Sequence, residues 1–288
     1  MDLSIVRTIG SGIARPEGVM ALDNGTLYTA DARGQCARIQ PDGHTDFFGD
    51  LGGVPNGICI DADDRCIVAN IGNGQVQALT ADGRHDVLLT HAQGRRMRAP
   101  NFPFADSKGR LWVSNSTEHE EIDAALWNPT PDGSVVLIAN GNARIVADGL
   151  YFANGLTLDA SEEYLYVAQT MRRNIVRYRI LADGALAAPE VFGPSPLGPL
   201  GLPDGIAFDD AGNLWITFPR WNAIGYLTPA GALEMVLEDP QHQVLKRPAN
   251  ICFGGPGRAT AYIGSLDGTT IPYFPVPWPG MRLVHQQR

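Results

Sequence analysis

Asn154-Gly155-Leu156-Thr157-Leu158-Asp159 and Pro203-Asp204-Gly205-Ile206-Ala207-Phe208-Asp209 are two copies of one pattern. A polar residue is followed by glycine, a short apolar run and an aspartate. Working outward, the same opening recurs as Pro16-Glu17-Gly18-Val19, Pro55-Asn56-Gly57-Ile58, Pro100-Asn101-Phe102-Pro103 and Pro248-Ala249-Asn250-Ile251. Its second positions, 17, 56, 101, 154, 204 and 249, lie 39, 45, 53, 50 and 45 residues apart. Such a period signals a propeller or a solenoid. In four units an aspartate, Asp61, Asp106, Asp159 or Asp209, follows the polar residue by five positions.

Each opening is followed by a turn and a second apolar run, among them Cys66-Ile67-Val68-Ala69, Leu165-Tyr166-Val167-Ala168 and Leu214-Trp215-Ile216-Thr217. A third run is expected to end in a glycine turn at Asp42-Gly43, Asp82-Gly83, Asp132-Gly133, Asp183-Gly184 and Ala230-Gly231. Glycine suits tight hairpins because it accepts positive φ. Short strands, regular turns and no useful helical periodicity predict an all-β chain. The expectation is a six-bladed β-propeller with four-stranded antiparallel blades, a single domain over residues 1–288. The last unit lacks one strand. The orphan stretch Ile5–Ile13 is expected to supply it and close the ring, with Arg282–Val284 as the competing candidate.

The chain carries 22 Lys+Arg against 31 Asp+Glu, a net charge of −9, which argues against nucleic-acid and anionic-membrane partners. With 44% hydrophobic residues, 33 glycines and 21 prolines, the composition is that of a folded, turn-rich protein. No apolar run approaches the ~18–20 residues of a membrane span. The first residues, Met1-Asp2-Leu3-Ser4-Ile5-Val6-Arg7, lack the features of a secretory signal. Cys36, Cys59, Cys66 and Cys252 form no CxxC pair and read as buried free thiols, so a reducing, cytoplasmic setting is expected.

In a propeller, the repeated position starts the innermost strand and borders one mouth of the central channel. Glu17, Asn56, Asn101, Asn154 and Asp204 then converge there, and Ala249 alone brings no oxygen donor. Turn capping accounts for single Asn or Asp residues. It accounts poorly for two carboxylates meeting on one axis, and a divalent cation resolves that repulsion with hard-oxygen ligands.

The six-unit pattern, with Arg-Pro-Glu-Gly, Pro-Asn, Asn-Gly-Leu-x-Leu-Asp and Pro-Asp-Gly-Ile, resembles the gluconolactonase, regucalcin (senescence marker protein) and luciferin-regenerating enzyme superfamily over essentially the whole chain. The resemblance implies a divalent metal on Glu17, Asn154 and Asp204, with Asn101 completing or flanking the site and Asp204 as general base. The family's third-blade motif usually reads Arg-Pro-Asn-Asp-Gly. Here it is Arg98-Ala99-Pro100-Asn101-Phe102-Pro103-Phe104, with Phe102 at an acidic position and the arginine displaced by one. Phe102, Phe104 and nearby tryptophans therefore suggest a substrate less polar than a sugar lactone.

Strand order places the second-to-third-strand loops and the blade connections on the same face as the ring. Asn56, Arg98, Asn101, Phe102 and His119 are the expected substrate contacts. His119 is the histidine suspected of proton transfer, with a solvated loop residue as the equal alternative. Arg33, Arg98 and Arg220 are candidates for gripping a carboxylate or oxyanion. The expected function is a metal-dependent hydrolase of the lactonase or esterase type acting on a small molecule, with metal-bound water attacking an acyl carbonyl at the channel mouth. Ca²⁺ is the favoured ion, and Zn²⁺, Mg²⁺ and Mn²⁺ are alternatives. The rival readings are a non-catalytic, metal-stabilised binding scaffold, and a lyase, isomerase or phosphoester hydrolase using the same ion.

Overall fold

A computed structural model describes residues 1–286 and shows six four-stranded antiparallel sheets set around one axis as a β-propeller. Blade 1 comprises Val19–Ala21, Leu27–Asp31, Gln35–Ile39 and Thr45–Phe48, and blade 2 comprises Pro55–Ile60, Cys66–Asn70, Gln75–Leu79 and His85–Leu89. Blade 3 is Pro100–Ala105, Leu111–Asn115, Gly133–Ala139 and Asn142–Leu150, and blade 4 is Ala153–Leu158, Tyr164–Gln169, Asn174–Arg179 and Glu190–Phe192. Blade 5 is Ile206–Phe208, Leu214–Phe218, Ala223–Leu227 and Leu233–Glu238. Blade 6 takes Pro248–Gly254, Thr260–Ser265 and Ile271–Pro275 from the end of the chain.

The outer strand of blade 6 is Arg7–Ile9, which pairs antiparallel with Ile271–Pro275 in the register Arg7↔Tyr273, Thr8↔Pro272 and Ile9↔Ile271. The N-terminal stretch therefore closes the ring and leaves the last blade no open inner edge. The C-terminal candidate adds no strand, because Val284–Gln286 forms a 3₁₀ turn.

The repeated aspartates hold the turn between the first two strands. Asp106 accepts from the amides of Lys108 and Arg110, and Asp209 from those of Ala211 and Asn213. Their second oxygens take the indole N–H of Trp112 and Trp215, both at 2.9 Å, so the bulkiest core side chains are buried with their one polar group satisfied. These tryptophans are core residues and do not reach the channel mouth.

One turn differs from expectation. Asp132-Gly133 does not join the third and fourth strands of blade 3, since Gly133 begins the third strand and Asn140-Gly141 makes the hairpin. Residues 116–132 consequently form a long second-to-third-strand loop, where the other blades use three to five residues. A short helix, Ala124–Trp127, lies within it.

All four cysteines are buried and free, and burial raises the Cys59 and Cys252 thiols far above their ordinary range. Among the described residues no helix is long and apolar enough to cross a membrane.

Candidate functional site

The polar positions of the repeat sit in a cavity of about 1090 Å³ at one mouth of the channel. Glu17, Asn56, Asn101, Asn154 and Asp204 all line it, and each is more than nine-tenths buried. The innermost strands of blades 2, 3 and 4 shift register at this end, between Pro55 and Ile58, Pro100 and Pro103, and Ala153 and Leu156. Such bulges re-aim a side chain next to a site. In blades 2 and 4 glycine is required beside the polar residue because the strands crowd around the axis. A Cβ on Gly57 would lie 2.3 Å from the Asn101 carbonyl oxygen, and one on Gly155 2.5 Å from that of Asp204.

A hydrogen-bonded network orients the ring. The Asn56 amide donates to Glu17 Oε1 at 2.8 Å, and Arg15 donates to Asn56 Oδ1 at 3.0 Å while pairing with Glu17 Oε2 at 2.5 Å. Asn154 Nδ2 donates to Thr170 Oγ1 at 3.1 Å, and that hydroxyl donates to the Pro203 carbonyl at 2.8 Å. Asn154 also hydrogen-bonds the Asp204 carboxyl. Among the described residues, Asn101 Oδ1 is buried with no hydrogen-bond partner.

Asp204 carries the strongest electrostatic signal. Burial, reinforced by the charge of Glu17, holds its carboxyl well above the ordinary carboxylate range, against the opposing pull of Arg15, Arg247 and the Asn154 hydrogen bond. A buried carboxyl held this way in a cleft is a candidate functional group.

Three expected contacts fall outside the cavity. Phe102 occupies the register that Gly57 holds in blade 2, but its ring packs below the ring of polar residues with Phe104, Leu156 and Phe253, so it fills the channel beneath the cavity. His119 is turned to the base of the long loop, with Nε2 3.1 Å from Thr130 Oγ1 and 4.0 Å from Asp132. Arg98 does not line the cavity and approaches Glu120, which does, at 3.5 Å. Arg33 is held by Asp31 at 2.6 Å, away from the site, whereas Arg220 does line it.

The wall adds residues that the repeat does not announce. Arg15, Phe152 and Arg247 stand two positions before Glu17, Asn154 and Ala249, and all three face the cavity. The X-Pro junction does not announce them: a residue before proline is pushed toward extended backbone, and Val54, Ala99 and Leu202 precede prolines at the same register without positive φ. The long loop contributes Glu120, Ile122, Leu126 and Trp127.

The cup of two carboxylates and three amides is open at one mouth of a six-bladed propeller. The sequence model of the SMP-30/Gluconolactonase/LRE-like region matches residues 15–267, and the chain belongs to that family. It is 26% identical over 292 aligned residues to the gluconolactonase of Zymomonas mobilis, covering 90% of this chain and 78% of the relative. Pentonolactonase XacC of Haloferax volcanii is 26% identical, with 92% of this chain and 86% of the relative aligned. Among solved structures, a gluconolactonase from Xanthomonas campestris superposes with a TM-score of 0.78 at 24% identity, over 94% of this chain and 89% of that one, which shows the shared fold.

Proposed function

We propose that the cup hydrolyses the acyl–oxygen bond of a lactone or ester, with Asp204 as general base and a divalent cation on Glu17, Asn154 and Asp204, flanked by Asn101. The carrying observation is the buried Asp204 carboxyl beside Glu17, on a cavity also lined by Asn101, whose side-chain oxygen is buried and unpaired among the described residues. Membership of a family that includes lactonases supports the same chemistry.

The residues fit a cation. Two carboxylates in one buried cup repel each other, and the orphaned Asn101 oxygen is a ready hard donor. No group of three or more His, Cys, Asp or Glu side chains is assembled among the described residues, so the donors are carboxylates and amides alone. That set favours Ca²⁺, Mg²⁺ or Mn²⁺ over Zn²⁺. When bound, the ion supplies Lewis-acid polarisation of the acyl oxygen and keeps both carboxylates ionised.

The chain's own groups do the rest. Asp204 takes a proton from water as the new carbon–oxygen bond forms, then returns it to the alkoxide oxygen as the old bond breaks. The Asn101 amide faces the space where negative charge develops on the acyl oxygen. Asn56 and Arg15 hold Glu17 in place, and Thr170 holds Asn154.

The test is Asp204→Asn, which keeps an oxygen donor and removes the base. At saturating calcium, with occupancy measured separately, kcat should fall about 10²–10⁴-fold. Near-normal kcat removes Asp204 from the mechanism. Calcium binding with no turnover of any lactone or ester by the unsubstituted protein favours the scaffold reading.

A further inference from the structure

Four wall residues of the cavity, Arg15, Phe152, His242 and Arg247, hold a backbone conformation that non-glycine residues avoid, and three of them share one register of the repeat. Arg15, Phe152 and Arg247 have φ of 50°, 58° and 56°. Each is strained relative to a relaxed backbone, and each occupies the same register, two residues before the repeat's second position, Glu17, Asn154 and Ala249, in blades 1, 4 and 6. The other blades carry Val54, Ala99 and Leu202 there without positive φ. Strain repeated at one register and aimed into one cavity points to a function for those side chains.

Propeller geometry turns sequence order into angular position, so the wall can be read round the axis. Over blade 4 and its junctions stand Phe152, Met171 and Leu202, joined by Leu126 and Trp127 of the long loop. Over blades 5, 6 and 1 stand Arg220, His242, Arg247 and Arg15. Arg15 is taken up by Glu17, but Arg247 only approaches Asp267, at 3.6 Å with both side chains about half exposed. Arg220 is exposed and makes no ion pair or hydrogen bond among the described residues. Among the anionic wall residues Asp267 stands beside Arg247, whereas Glu120, Glu121 and Asp123 lie on the long loop with no cation among the lining residues there. A ligand anion is thus repelled from the loop and drawn toward the arginines.

We propose that this cavity selects esters or lactones that carry an anionic group on one side of the reacting carbonyl and an aromatic or branched-alkyl group on the other. Arg220 and Arg247 receive the anion, and Phe152, Met171 and Leu202 receive the apolar group. The inference deepens the hydrolase reading and rests on it. It also gives a physical basis for a less polar substrate that Phe102, buried in the channel, does not supply. A cavity of about 1090 Å³ is at the upper end of ordinary ligand sites and leaves room for both substituents.

Three matched esters separate the two levels: monomethyl phenylsuccinate, which has both groups, dimethyl phenylsuccinate, which lacks the anion, and monomethyl succinate, which lacks the ring. With calcium-loaded protein, kcat/KM should be at least about tenfold higher for the first than for either of the others. Arg220→Gln should lower kcat/KM for the phenylsuccinate monoester about tenfold more than for the diester. Phe152→Gly, whose backbone accepts φ of 58° without strain, should erase most of the advantage of the ring, with thermal melting confirming the fold. Hydrolysis of all three esters at equal kcat/KM overturns the selectivity while leaving the hydrolase standing. Should none be hydrolysed, the hydrolase reading is what fails, and calorimetry with phenylsuccinate decides the selectivity alone. Binding tighter than succinate and weakened by Arg220→Gln sustains it, and equal binding of the two diacids overturns it.

Discussion

The two mouths of the channel are built from the same six innermost strands and are opposite in kind. At the mouth where those strands begin, the axis is ringed by Glu17, Asn56, Asn101, Asn154 and Asp204, with a buried amide oxygen left unpaired. Toward the other, Phe102, Phe104, Leu156, Ile206, Phe253 and Met281 close on about 20 Å³ of free space. The C-terminal tail then caps that end, with the Met281 amide donating to Phe208 and the amide of Asp210 to Pro279. Apolar filling lowers the free energy of the fold, whereas buried polar groups without partners raise it. The difference teaches where stability is given up: one end is packed, and the other, where the proposed ligand would sit, is kept short of partners among the described residues.

The comparison breaks most visibly at Phe102. Phe102→Ala should cost about 3–5 kcal/mol of unfolding free energy by opening a void in the packed end. Its kcat, measured below the melting transition, should stay within a few-fold of the parent, because the ring lies beneath the cup. Loss of kcat in folded, metal-loaded Phe102→Ala would return that residue to the site. The opposite dissociation belongs to Asn101. Asn101→Leu replaces an orphaned polar group by an apolar one, so the cation-free protein should melt no lower than the parent, while activity drops about 100-fold. A lower melting temperature combined with full activity would refute the contrast. Asn56→Ala should act more mildly, about tenfold on kcat/KM, because it frees Glu17 to move without removing a ligand.

Much of this contrast was legible in the sequence. Five polar residues at one register of a period of 39–53 residues place the cup, and the orphan N-terminal stretch foretells the strand that closes the ring. What spacing does not carry is side-chain direction. Phe102 has the right position for a ligand contact, yet an apolar ring at a bulge turns toward the core rather than toward water. Asp132-Gly133 has the composition of a hairpin, but Asp132 instead accepts from Thr117 and the Glu118 amide and ties down the base of the long loop. That loop also takes His119 out of the cavity. Nothing local announces the left-handed backbone of Arg15, Phe152 and Arg247, since Val54, Ala99 and Leu202 hold the same register without it.

The smallest expected effect sharpens the comparison at the packed end, and it comes from His285. Its side chain is buried beneath the tail, where Nε2 faces the Ala21 carbonyl at 3.4 Å and Nδ1 has no partner among the described residues. Burial holds its pKa below the ordinary 6.5, against smaller opposing effects of the Ala21 and Ile60 backbone and of Asp23 and Asp64. The neutral ring is thus the form the folded tail accepts. Its contribution is present above pH 6.5 and is lost as the pH falls below that value, because the unfolded ring gains a proton more readily. Acidification should therefore loosen the cap before it affects the blades. Hydrogen exchange at residues 279–286 should quicken between pH 7.5 and 5.5, after correction for the intrinsic rate, more than exchange in the strands around the cup. The Met281 amide, bonded to Phe208, is the most direct reporter. His285→Phe keeps an apolar ring of similar size and removes the titration, so it should flatten the pH dependence while leaving the cap closed at pH 7.5. An unchanged pH dependence in that variant would assign the effect to another group, and acid loosening that begins at the cup would reverse the order of stability between the two mouths.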